Sequence, residues 1–158
     1  MIIFLLILAF NTNAIIPDSL PVFKLTDQYG KSISNTDLKN QTSVLLGCAY
    51  KDINICRKVG RKIYWSLQNK MDTDRSGVHF YLFIDLRNSN FIVDRYIEEN
   101  KDRGFESVFL DRNGILSTGL KDNFSQLRIF SKSGKILFEK FLQSAGSQDV
   151  VNVYNVLI

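Results

Sequence analysis

The sequence predicts an α/β sandwich, a central mixed β-sheet with helices on both faces, and three observations predict it. Apolar runs of strand character alternate with stretches of helical periodicity through the first part of the chain. The run Ser43–Cys48 is continuously apolar, the pattern of a central strand buried on both faces, and it leads directly to a helix whose first turn carries Cys56. A hairpin and one more helix close the chain.

Taken in order, Pro21–Thr26 alternates Val22, Phe23 and Leu25 with polar partners and reads as a short edge strand. Asp27–Ser34 carries the turn signal Tyr29-Gly30-Lys31, and 35–42 is a polar connection to the central strand. Cys56–Met71 places Val59, Ile63, Leu67 and Met71 at i+4 spacing, one helical stripe. Gly60 inside that helix costs about 1 kcal/mol relative to alanine, which predicts close packing there. Val78–Asp85 is the strongest strand, rich in aromatic and β-branched residues. Phe91–Lys101 reads as a helix with Ile92, Val93, Tyr96 and Ile97 on one side and Gly104 beyond its end. Glu106–Leu110 is a further strand. Gln126–Phe130 and Ile136–Phe141 form a hairpin around Ser131-Lys-Ser-Gly134, with glycine where a positive φ is wanted. Ser147 is placed to cap the last helix, with Asp149 in its first turn and Val150, Val153, Tyr154 and Leu157 facing inward.

The 158 residues suit a single domain with a sizeable core, and 45% hydrophobic with 23% charged residues is ordinary for a globular chain. A net charge of +4 spread along the sequence gives no concentrated basic stripe, so no nucleic-acid partner is expected. Residues 1–14 stand apart. Ile2–Phe10 is too short to span a bilayer but has the length of a signal-peptide core, with Thr12 and Ala14 at the small-residue positions of a cleavage site. No Lys or Arg precedes the run, and a buried N-terminal strand is the alternative. The expectation is a signal peptide at 1–14, one domain at 15–158, no transmembrane segment after cleavage, and a periplasmic or secreted location. Such a compartment permits cysteines to pair.

Cys56 is the candidate reactive residue. Unpaired N–H groups and the dipole at a helix start favour a thiolate, and Arg57, Lys58, Arg61 and Lys62 add positive charge. Those four residues read first as the solvated face of the helix, with anionic membrane or partner binding second. Cys48, at the end of the buried strand, is a possible resolving or disulfide partner. Strand-end and helix-start geometry need not bring the two Cα atoms close, so free thiols are the leading expectation and a Cys48–Cys56 disulfide the alternative. His79 is the single histidine, lies inside a strand and has no ligand set around it, so no metal and no cofactor are expected.

From about Leu20 to Leu157 the chain resembles the thioredoxin-like superfamily, in the branch that includes peroxiredoxins. The residues that carry this are FKLTDQYGKSISNTDLKNQTSVLL at the start, then VFLDRNGIL and FSQLRIFSKSGKILFEK, with the Cys56 junction between them. The resemblance implies a three-layer sandwich around a mixed sheet. The spacing from Asp111–Gly114 to Ser131–Gly134 and on to the last helix is most similar to the YtfJ family of bacterial envelope proteins, which implies fold and location. Laid on a thioredoxin, Cys56 falls on the second cysteine of the C-x-x-C motif. The first cysteine then falls on Ile53, the buried acid on Gly47 and the cis-proline on Ser125. Laid on a peroxiredoxin, Cys56 falls on the peroxidatic cysteine, with Ile53 for its threonine and Ser125 for its arginine; Arg128 is near but out of register. The copper-binding branch would need ligands where Asp52 and Asn123 stand. The leading expectation is therefore a non-catalytic binding or structural module whose partner is an envelope protein. The alternative is a thiol-dependent redox protein acting on a thiol substrate through Cys56, with or without Cys48.

Overall fold

β-Branched and apolar residues packed without interruption make Thr42–Ala49 the most buried of the long strands, and the other elements are laid out from it. The computed structural model describes residues 19–71, 76–101 and 106–158. The signal-peptide stretch 1–14 and Gly104 lie outside the described residues. The elements are β1 (Lys24–Asp27), β2 (Ser32–Ser34), β3 (Thr42–Ala49), a 3₁₀ turn (Tyr50–Asp52), α1 (Ile53–Gln68), β4 (Val78–Asp85), α2 (Phe91–Glu99), β5 (Phe109–Asp111), β6 (Ser125–Phe130), β7 (Ile136–Leu142) and α3 (Ser147–Leu157).

The strands form one mixed sheet in the order β2-β1-β5-β4-β3-β6-β7. β3 pairs in parallel with β4, with Cys48 opposite Ile84, and antiparallel with β6, with Gly47 opposite Gln126. The β4–β5 pair is also parallel. Parallel neighbours need a crossover, and α1 and α2 supply them.

Alternation along β3 divides the core in two. Val44 and Leu46 face α1 and α3, where Val59, Ile63, Leu67, Val150 and Val153 join Leu127 and Ile129 of β6. Leu45 faces the other way, into a cluster with Phe23, Leu25, Ile33, Leu38, Phe83, Phe109, Leu116 and Phe130. On that face β1 and β2 contribute Phe23, Leu25 and Ile33 from within or beside the sheet, and the turns around Leu38 and Leu116 cover it. Each fully buried aliphatic side chain contributes about 1.5–3 kcal/mol, so both faces carry substantial stabilisation.

The structure departs from the sequence expectation at element ends. α1 begins at Ile53, ahead of Cys56, because the 3₁₀ turn runs directly into it. The stretch read as a turn contains β2, which covers β1, so the edge strand is β2. α3 is capped at Gly146, and Ser147 is its first residue; Asp149 Oδ2 accepts the Gly146 N–H at 2.8 Å. Gly134 in the hairpin loop has φ +82°, the conformation that the loop needs. Gly60 lets α1 approach β3, since a Cβ there would stand 3.0 Å from Leu46.

A candidate redox site at the junction of strand and helix

Cys48 and Cys56 are joined by a disulfide, with Cα atoms 6.2 Å apart. The local fold explains the meeting. Cys48 lies on the same face of β3 as Val44 and Leu46, the face on which α1 packs. The 3₁₀ turn folds the chain back within a few residues, and Cys56 sits at the top of the buried stripe Cys56, Val59, Ile63 and Leu67. Cys48 points into the core, where it meets the other cysteine. Both are buried, Cys48 at 0% exposure and Cys56 at 6%. The expectation of two free thiols is therefore corrected: among the described residues no free cysteine remains.

One flank of the junction is closed by polar ties. The buried Asp52 carboxylate accepts the Asn123 N–H at 3.0 Å, and Lys51 pairs with Asp122 at 2.8 Å on the surface. Ser125 follows on β6, fully buried, its hydroxyl donating to the Leu142 carbonyl at 2.9 Å. All described peptide bonds are trans, including Phe124–Ser125. Gly47 leaves no room for an acid, because a Cβ there would stand 2.0 Å from the Phe83 ring. Ile53 is partly exposed at the helix start.

Arg128 does not serve the cysteines. Its guanidinium lies in the second core cluster, 5.7 Å from the Phe83 ring centre and 5.8 Å from that of Phe130, and it donates to the Leu116 carbonyl. Burial there pushes its pKa down to about 10. Arg57, Lys58, Arg61 and Lys62 are exposed, as expected for a solvated helix face. His79 is also exposed, and among the described residues no cluster of His, Cys, Asp and Glu could hold a metal ion.

The other flank is open. A cavity of about 150 Å³ reaches Cys56, walled by Ile53, Leu46, Leu82, Ile97 and Leu110, with Gln28, Arg57, Asn100 and Glu106 as its polar members. Cys48 does not line it. Sequence reasoning misses this cavity because its walls come from several elements far apart along the chain. The one local signal is the apolar side of α2, which fits too loosely to bury any residue fully.

No family profile and no curated protein sequence matches the chain. Solved structures do. The thioredoxin domain of a thiol-disulfide oxidoreductase from Bacteroides vulgatus is similar at TM-score 0.60 and 14% identity, over 89% of this chain and 96% of that one. The exposed lipoprotein thioredoxin of Streptococcus pneumoniae is similar at TM-score 0.57 and 15% identity, over 85% and 97%. Peroxiredoxin Q of Xanthomonas campestris is similar at TM-score 0.60 and 11% identity, over 85% and 89%. Among the described residues no helix is long and apolar enough to cross a membrane. At these identities the likeness is one of fold, and the chain has the thioredoxin-like fold, with its disulfide where the central strand passes into the first long helix.

Proposed function

We propose that this chain is a thiol-disulfide redox protein that works through the Cys48–Cys56 pair. The carrying observation is the disulfide itself, placed at a helix start with one of its sulfurs beside an open cavity. The half-reaction follows from that geometry. A substrate thiolate attacks Cys56 Sγ, the Cys48–Cys56 bond breaks, and Cys48 leaves as a thiol after taking up a proton. A second substrate thiolate then attacks the substrate sulfur of the mixed disulfide and releases Cys56. The substrate dithiol is oxidised to a disulfide while the protein's disulfide is reduced to two thiols. The reverse sequence reduces a substrate disulfide. Cys56 is the sulfur attacked because Cys48 has no exposed surface. The helix start favours the Cys56 thiolate as leaving group and nucleophile.

This reading prefers the redox alternative to a non-catalytic module. The second reading retains one specific observation in its favour: Phe83 fills the space at Gly47 where an acid would have to stand. Disulfide exchange is favoured over peroxide reduction, since Ile53 offers no hydroxyl and Arg128 is occupied in the second core cluster. The proposal extends to an exported, periplasmic or secreted protein of the YtfJ type, acting on envelope protein thiols. The solved neighbours, which include an exposed lipoprotein thioredoxin, support the exported location in that extension.

The test is a redox titration. Protein equilibrated in glutathione and dithiothreitol redox buffers of graded potential is quenched with a maleimide and the reduced fraction counted by mass. A midpoint within the catalytic range, about −120 to −270 mV, supports the reading. A midpoint below about −300 mV marks a structural disulfide and refutes it.

A further inference from the structure

The cavity beside Cys56 continues into a larger groove of about 440 Å³ along α1, and the two share Leu46, Arg57, Leu82 and Glu106 in their walls. The groove passes Gly60, Arg61 and Tyr64 and ends at Trp65, which is 61% exposed. From Ile53 to Trp65 the helix rises about 18 Å, the length of about five or six extended residues. A small molecule would fill one end of such a groove; a stretch of polypeptide fills it all. The smaller cavity is close in volume to one known to hold a benzene ring, so it accepts one apolar side chain.

The polar groups define the rest. Arg57 and Arg61 stand in the α1 wall, and neither has a carboxylate partner among the described residues. Lys58 and Lys62 add charge to the same helix. Glu106 stands in the wall too, so acidic groups of an occupant must turn toward α1. Asn100, 8% exposed, lines the inner cavity with its Oδ1 lacking any hydrogen-bond partner. A buried acceptor without a donor costs about 1–3 kcal/mol, and a backbone N–H of an inserted segment would supply one.

We propose that this groove docks an acidic polypeptide segment with apolar side chains beside its cysteine, and that such segments are the substrates whose thiols exchange with Cys56. The proposal rests on the redox reading and names its substrate class. Delivery is from the α2 side, since Asp52 and Asn123 close the opposite flank.

Trp65 is the chain's single tryptophan, so its fluorescence reports occupancy directly. The probe is the capped peptide Leu-Ser-Asp-Phe-Asp-Leu, which has no cysteine and no tryptophan, titrated into the oxidised protein. Saturable change in Trp65 emission is expected, with affinity falling as salt rises. The peptide with Lys in place of Asp should bind at least about tenfold more weakly. Arg57→Glu/Arg61→Glu, at two exposed positions, should reverse that preference and favour the lysine peptide.

No emission change, or a preference that the double reversal leaves unaltered, overturns the proposal. A response to phosphatidylglycerol vesicles but not to the peptide also overturns it, in favour of a membrane surface. The redox titration fails or succeeds independently. Exchange without peptide binding removes the docking proposal alone, and peptide binding with a midpoint below about −300 mV removes the substrate assignment.

Discussion

Helices α1 and α2 both present an apolar side and a polar one, yet they are attached very differently. α1 buries Cys56, Val59, Ile63 and Leu67, is tied covalently to β3, and packs against α3 as well. α2 buries no residue fully and leaves Phe91, Ile92 and Tyr96 at 76%, 61% and 61% exposure. Its fixed points are polar: Asn90 Oδ1 accepts the Ile92 and Val93 N–H groups, and Asp94 pairs with Arg112 at the surface. Exposed pairs of this kind contribute only about 0–1 kcal/mol. An amphipathic pattern therefore states what a helix can bury, not what it meets. Here the difference leaves a cavity where the well-held helix and the loosely held one fail to close, and Cys56 lies at its wall.

The contrast breaks most readily in the core. Leu67→Ala should cost about 2–5 kcal/mol in urea unfolding, because the side chain is wholly enclosed and its removal leaves a void. Phe91→Ala should change stability by less than about 0.5 kcal/mol. A comparable loss in both would show that α2 is as firmly packed as α1.

Next in size comes the covalent tie. Cys48→Ser/Cys56→Ser removes a closed loop of sequence separation 8, worth about 2.5 kcal/mol on the chain-entropy account. The double variant should remain folded by circular dichroism with a lower urea midpoint. An unfolded double variant would mean that the bond, rather than the apolar stripe, positions α1.

The smallest effect sharpens the third helix. Asp149 is held below its ordinary value of 3.8 by the hydrogen bond from Lys140 and then by the Gly146 N–H. A carboxyl with a depressed folded pKa contributes stability above the unfolded value, lost as pH falls through the folded one. Asp149→Asn should thus cost up to about 1 kcal/mol at pH 7, part of it screened by solvent at Lys140. The gap between variant and wild type should narrow as pH falls below 3.8 and through the depressed folded pKa of Asp149. A gap that persists in acid would assign the effect to packing.

Much of the frame is legible in the residues. Val78–Asp85 is delimited as the strand that forms, and the Ser43–Cys48 run with its following helix places the junction correctly. What escapes the sequence is set by partners far along the chain. β2 is short and polar and becomes a strand only because β1 lies beside it. The disulfide depends on how sharply Tyr50–Asp52 turns, which no spacing rule gives. The cavity needs Gln28, Leu82, Asn100 and Leu110 in one place, and only the sheet order brings them there.

Phe83 and Gly47 hold each other as a lock. Any side chain introduced at 47 meets the aromatic ring before it can offer chemistry to the sulfurs. Shrinking Phe83 first empties a fully packed site, at about 3–5 kcal/mol. Each single step is penalised and only the pair is permitted, so the chain is kept from acquiring an acid at 47 by a two-mutation valley. An engineer seeking one must change both residues together.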